Sequence, residues 1–300
     1  MILTALLKVK NEQWVLPLTL PAMLMVVDNV VVLDHASTDR TPEIIAKYQK
    51  SEPERIYPIY HNDPLWKESL ILQKLLETGR EIGSTHFLLI DADEILTGNI
   101  LSHVRNWTDK LMPGEAVRFP WLAMWRTLDR YRDDQSIWSD NFKSILFCDS
   151  PEVSFKAHGD GYDMHCGITD KDFTIHTPLT EMSCGGLMHL QFAAQRRLKA
   201  KHAWYKMTEA VRFPGRLTAE QQNKRYGRAL DETGLRTTAV DPSWWEPYKS
   251  LRNNIMFEDE SWHAAECRRL WNEYGPERFA GLELWGIPQG KDDKELAVAE

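Results

Sequence analysis

The feature that most constrains this chain is the alternation, over its first 125 residues, of short apolar runs with helix-like segments. Ile2 to Val9, Asn29 to Asp34 (NVVVLD), Arg55 to His61 and His86 to Asp91 (HFLLID) carry apolar side chains on both faces. A strand buried on both faces belongs inside a sheet covered by helices, so a central, mostly parallel sheet is expected. Thr41-Pro42-Glu43 sets a capping residue, a proline and an acid in a row, which predicts a helix from Pro42 to about Gln49. Leu70, Ile71, Leu75 and Leu76 fall at helical spacing within Trp66 to Gly79. Strands and helices in alternation imply an open α/β sandwich.

Beyond Gly114 the pattern changes. Ala116 to Trp125 reads as a long aromatic strand, and Asn141 to Cys148 as another, with an antiparallel setting allowed. Residues 149–186 are rich in Gly, Asp and His and show little periodicity, so irregular loops are expected there. From His189 onward the chain reads as helical. Phe192 to Arg212 has a basic face (Arg196, Arg197, Lys199, Lys201), and further helices are expected near 218–233 and 260–274. The resulting division is 1–190 as the main domain (1–125 and 126–190 as its halves), 191–285 as a helical extension, and 286–300 as a loose tail.

Composition narrows the function. Hydrophobic residues make up 43% and charged residues 27%, enough for a packed core. The net charge of −8 gives no general attraction to nucleic acid. The most apolar stretch, Trp14 to Val27, is interrupted by Pro17 and Pro21 and is too short to span a bilayer, which leaves only peripheral membrane contact open. No C-x-x-C pair occurs among Cys148, Cys166, Cys184 and Cys267. A zinc site from Cys148, His165, Cys166 and Cys184 fits no usual ligand spacing, and unpaired thiols in a cytoplasmic protein are the simpler reading.

Three polar segments follow the strands. Asp91-Ala92-Asp93-Glu94 closes the fourth, where an open parallel sheet binds ligands. Two carboxylates one residue apart there can reach one hard divalent cation, Mg²⁺ or Mn²⁺, carrying a diphosphate. Three acids in four residues also repel one another and call for positive charge. Asp34 ends the second strand, ahead of His35-Ala36-Ser37-Thr38-Asp39-Arg40-Thr41, and can accept hydrogen bonds from a base or ribose. Lys10-Asn11-Glu12 ends the first.

In this order and spacing, KNE at 10–12, DHASTDRT at 34–41 and DADE at 91–94 resemble the nucleotide-sugar half of family 2 glycosyltransferases with the GT-A fold. The resemblance covers about residues 1–125. It implies a Rossmann-related, mostly parallel sheet flanked by helices and a metal-dependent transfer of sugar from a nucleotide-diphosphate sugar, UDP-linked by analogy, to a glycan or other hydroxyl acceptor. On that likeness Asn11, Glu12, Asp34 and Asp91 bind the nucleotide, and Asp93 binds the Mn²⁺ or Mg²⁺. His189, in the run GGLMHLQ, looks like the metal-binding histidine of a late strand. An inverting transferase needs a carboxylate to deprotonate the acceptor hydroxyl. No E-D pair lies between Glu94 and His189, so Asp140 and Asp134 are the candidates.

Other readings fit less of the sequence. A haloacid-dehalogenase-type phosphohydrolase carries its D-x-D on the first strand. A nucleotide-sugar pyrophosphorylase needs a Gly-rich loop after that strand, and KVKNEQW has no glycine. A catalytically silent nucleotide- or carbohydrate-binding protein on the same fold stands as the alternative. Trp121, Trp125 and Trp138 could form an acceptor platform, with core packing expected for at least two of them.

Overall fold

The computed structural model describes residues 1–62, 67–134, 136–155 and 173–290. The chain runs β1 (Leu3–Val9), α1 (Leu16–Leu24), β2 (Asn29–His35), α2 (Thr41–Ser51), β3 (Ile56–His61), α3 (Glu68–Glu81), β4 (His86–Asp91), β5 (Glu94–Leu96), α4 (Leu101–Thr108) and β6 (Glu115–Ala123). It continues through β7 (Arg130–Arg132), β8 (Phe142–Cys148), β9 (Thr174–His176), β10 (Leu187–His189), α5 (Gln195–Arg212), α6 (Ala219–Gly227), β11 (Thr237–Ala239) and α7 (Trp262–Tyr274).

The four apolar runs become β1 to β4, which pair in parallel in the order β3-β2-β1-β4. β8 adds to β4 in antiparallel fashion, and β6 then pairs antiparallel with β8. The sheet continues through β10 to β5, with β9 on β6. One half is thus parallel and the other largely antiparallel, an α/β fold with helices packed on its sheet. Leu72, Leu75 and Leu76 of α3 pack on Leu6, Val31, Leu33, Phe87 and Leu89 of the parallel strands. This one-sided leucine stripe is what the helical spacing predicts.

Two helix starts differ instructively. α6 opens with the capping box of Thr218 and Gln221, each side chain bonded to the other's backbone N–H. Thr41, expected to cap α2, does not; its hydroxyl accepts from Glu12 N (2.8 Å) instead. A tertiary partner has taken the oxygen that local sequence assigns to the helix.

The chain forms two compact units: Met1–Leu122, Gln135–Leu190 and Ala239–Met256 in the first, Ala123–Asp134, Gln191–Thr238 and Phe257–Glu300 in the second. Segment 239–256 packs with the sheet unit, where the buried Tyr248 hydroxyl donates to the Leu96 carbonyl (3.0 Å). The core of the second unit lies between α5 and α7, with Ala200, Ala203 and Met207 against Ala264, Cys267 and Leu270. Three small residues at this contact let the helices approach closely.

Candidate active site

Parallel register brings the carboxyl ends of the strands into line. Lys8 pairs with Asp91, Val9 with Asp34, and Asp34 with Tyr60. Side chains far apart in sequence therefore share one sheet edge.

The turns after β1 and β2 are locked together. Asn11 has φ of 55°, a left-handed conformation that asparagine tolerates. Its Oδ1 accepts from Thr38 N (2.7 Å) and Asp39 N (3.2 Å), and its own N–H donates to Ser37 Oγ (2.8 Å). Gln13 N donates to Asp39 Oδ2 (3.1 Å), and Arg40 N to Gln13 Oε1 (2.9 Å). Ser37, Asp39 and Thr41 thus serve the clamp. Asn11, expected at the nucleotide, has its oxygen occupied by backbone donors. Glu12 is half-buried, and its Oε2 accepts from the Trp14 indole (2.7 Å).

Asp34 stands at the centre of this edge, 4% exposed. Its Oδ2 accepts from Ser37 N (3.4 Å), while Oδ1 is buried with no hydrogen-bond partner among the described residues. Burial pushes its carboxyl above the usual range, with the Ser37 hydrogen bonds pulling the other way. A buried carboxylate oxygen without a donor is costly. It marks a place where an N–H or O–H from outside the chain would be stabilising.

The acid cluster is more self-contained than its sequence implies. Asp91 ion-pairs with Lys8 through Oδ1 and with Lys143 of β8 through Oδ2 (2.9 Å). Lys8 also meets Glu68 (3.1 Å). Glu94, with no exposed surface, accepts from Lys143 (2.8 Å to each oxygen), Trp121 Nε1 (2.7 Å) and Asp91 N (3.0 Å). Burial opposes ionisation of Asp91, but Lys143 and Lys8 outweigh it and hold the carboxyl well below the usual range. Both lysines are pushed upward despite burial, Lys8 by Asp91 and Glu68, Lys143 by Asp91 and Glu94. Two of the three acids thus find their counter-charge within the chain, and mutual repulsion is no ground for a metal there.

Asp93 is different. It sits in the turn from β4 to β5, and β5 pairs antiparallel with β10, placing His189 opposite Glu94. Leu190 N donates to the Asp93 carbonyl (2.8 Å), and Asp93 Oδ2 lies 3.1 Å from His189 Nε2. Gly186, next to β10, lets the chain lie close against β6: a Cβ there would lie 2.3 Å from the Pro120 carbonyl oxygen. One carboxylate and one imidazole are two ligands. Among the described residues, no group of three or more His, Cys, Asp or Glu side chains converges.

The two candidate bases belong to different units. Asp140 is exposed in the first unit. Asp134 belongs to the second, buried and ion-paired with Arg132 (2.7 Å). Trp121 and Trp125 are buried, and Trp138 is half-buried. Cys148, Cys184 and Cys267 are free thiols, while His165 and Cys166 lie outside the described residues. Among the described residues no helix is long and apolar enough to cross a membrane.

Sequence reasoning missed Lys8, Glu68 and Lys143 as parts of this site. A lysine inside the otherwise apolar strand LTALLKV was the available signal, because a buried ammonium requires an acid partner.

No protein-family model and no curated protein matches this sequence. Among solved structures, the chain is similar to S. aureus TarS 1–349 in complex with UDP, at 10% identity and a TM-score of 0.38, over 96% of this chain and 85% of that one. It is also similar to the mannosyltransferase PcManGT from Pyrobaculum calidifontis in complex with GDP-Man and Mn²⁺, at 15% identity and a TM-score of 0.41, over 96% and 84%. A longer S. aureus TarS structure matches at 11% identity and a TM-score of 0.43, over 97% of this chain and 55% of that one. At these values the likeness is one of chain path only.

Proposed function

We propose that this chain is a metal-dependent glycosyltransferase that takes a sugar from a nucleotide-diphosphate sugar and transfers it, with inversion, to a hydroxyl acceptor. One observation carries the reading. Asp93 and His189, 96 residues apart in sequence, bring a carboxylate and an imidazole together at the ligand edge of the sheet.

The donor set fits a cation shared with a substrate. A carboxylate suits Mg²⁺ or Mn²⁺, and the imidazole tilts the choice toward Mn²⁺. Phosphate oxygens would complete the coordination. When bound, the cation supplies positive charge to a departing diphosphate. The chain's own residues do the rest. The buried, unpartnered Asp34 Oδ1 accepts an N–H or O–H of the nucleoside. Asp91, held by Lys8 and Lys143, presents a fixed carboxylate toward the ribose. Asn11 acts as a positioning residue, keeping the two turns in register. Asp140 takes the acceptor proton; Asp134, neutralised by Arg132, is the weaker candidate. A UDP-linked donor is favoured by analogy.

Calorimetry of UDP binding with and without Mn²⁺ tests this reading. Asp93→Asn and His189→Ala should each abolish the metal-dependent part, and wild-type affinity in both would defeat it. Donor binding with no hydrolysis or transfer under any acceptor would instead identify a silent binding protein.

A further inference from the structure

The backbone of His189 is fixed by β5 on one side, and its imidazole Nε2 lies 3.1 Å from Asp93 Oδ2. Trp121 faces the ring, with ring centroids 4.5 Å apart and planes inclined by 37°. Trp121 is itself restrained. Its indole N–H donates to Glu94 Oε1 (2.7 Å), Glu94 is anchored by Lys143 and Asp91 N, and Trp138 packs against it with centroids 6.0 Å apart. Trp121 is 9% exposed, so the indole is embedded.

We infer that Trp121 is a positioning residue for the metal, orienting the His189 imidazole and stabilising it once it is metal-bound. Two physical effects combine. An indole tied to a carboxylate cannot turn aside, so the imidazole beside it keeps its Nε2 directed at Asp93. A metal-bound imidazole also carries more positive charge than a free one. The π-face of an indole hydrogen-bonded to an anion is electron-rich, and attracts that charge as it would a cation. Hydrogen-bonding groups that orient metal-binding histidines commonly contribute about 10–100-fold to metal affinity, and a packed ring that fixes the same orientation is expected to act on that scale. The inference rests on the assignment of Asp93 and His189 as metal ligands, and extends it to a side chain that does not touch the metal.

The test is a titration of the UDP-bound protein, with UDP no more than equimolar to it, with Mn²⁺, followed by electron paramagnetic resonance of the free ion. Trp121→Leu removes both ring and hydrogen bond and should weaken Mn²⁺ binding by about 10–100-fold. Trp121→Phe keeps a ring and loses the anchor, and should fall between it and wild type. UDP binding in the absence of metal should be unchanged in both, which a merely unfolded or collapsed site would not allow. Wild-type Mn²⁺ affinity in a folded Trp121→Leu protein would overturn the inference alone. Absence of Mn²⁺ binding by the wild type, or its persistence in His189→Ala, would overturn the metal assignment and this inference with it.

Discussion

Asp34→Asn should stabilise the fold while weakening donor binding. The wild-type carboxylate is 4% exposed, and one of its oxygens has no partner among the described residues. A buried group left unsatisfied costs about 1–3 kcal/mol, and more when it is charged. Asparagine has nearly the same shape, keeps an acceptor for Ser37 N, and carries no charge to desolvate. A gain of about 1–2 kcal/mol is therefore expected, or ~2–8 °C in Tm for a unit of this size. Against this, a charge-assisted hydrogen bond to the nucleoside is lost. At about 1.5–3 kcal/mol, that weakens donor binding by roughly 10–100-fold. The sign with pH follows from the raised folded pKa. Such a carboxyl favours the folded state at low pH, and that contribution is lost as pH rises through its folded pKa. The advantage of Asp34→Asn should thus be full at neutral pH and shrink in acid. Scanning calorimetry from pH 7 to pH 4, with UDP titrations at pH 7, measures both halves. A lower Tm with unchanged UDP affinity would refute the reasoning, since Asp34 would then be a satisfied structural acid.

Lys143→Met should destabilise the first unit by about 3–5 kcal/mol, because Glu94 would be left buried without its cation; the urea midpoint reports it, and an unchanged midpoint would show that Trp121 and Asp91 N suffice. The depressed Asp91 pKa means this cluster's contribution is present above the ordinary carboxylate pKa and is lost only as pH falls well below it. Lys206→Met should act oppositely. Lys206 is fully buried, with its Nζ donating to the Glu283 carbonyl (2.8 Å) and sitting 4.0 Å from the Trp285 ring, and burial pushes its pKa down to about 8. The unfolded chain holds that proton to higher pH, so wild-type stability should rise with pH from about 8 to 10.5. Lys206→Met should be more stable at pH 7 and should lose this slope in chemical denaturation. Asn11→Ala should cost about 1–3 kcal/mol by orphaning Thr38 N and Asp39 N and straining a positive φ, whereas Asn11→Asp, which keeps both acceptor and φ tolerance, should cost less; equal thermal midpoints would remove Asn11 from the clamp.

The first half of this chain is legible because its signals are local. Four apolar runs became four parallel strands, and the leucines of α3 face the sheet as their spacing requires. The expected strand at 141–148 is present and antiparallel. Boundaries moved where tertiary partners intervened. The helix expected over 218–233 stops at Gly227, and the motif threonine at 41 left its capping role for Glu12 N. In the region expected to be irregular, Thr174–His176 adds a short parallel strand to β6, while 156–172 lies outside the described residues.

The sequence alone determined which residue types end the strands, because hydrophobic alternation and turn chemistry are written over a few consecutive positions. It carried Asp34, Asp93 and His189 as separate candidates. Only the tertiary structure decided how charge is shared among them. Lys143, 52 residues from Asp91, and Lys8, 83 residues away, reach the same carboxylate because β1 and β8 flank β4. Ion pairing depends on distance in space, which sheet order sets and linear spacing does not. For that reason the acid-rich run resolved into two lysine-bound carboxylates and one, Asp93, turned toward an imidazole.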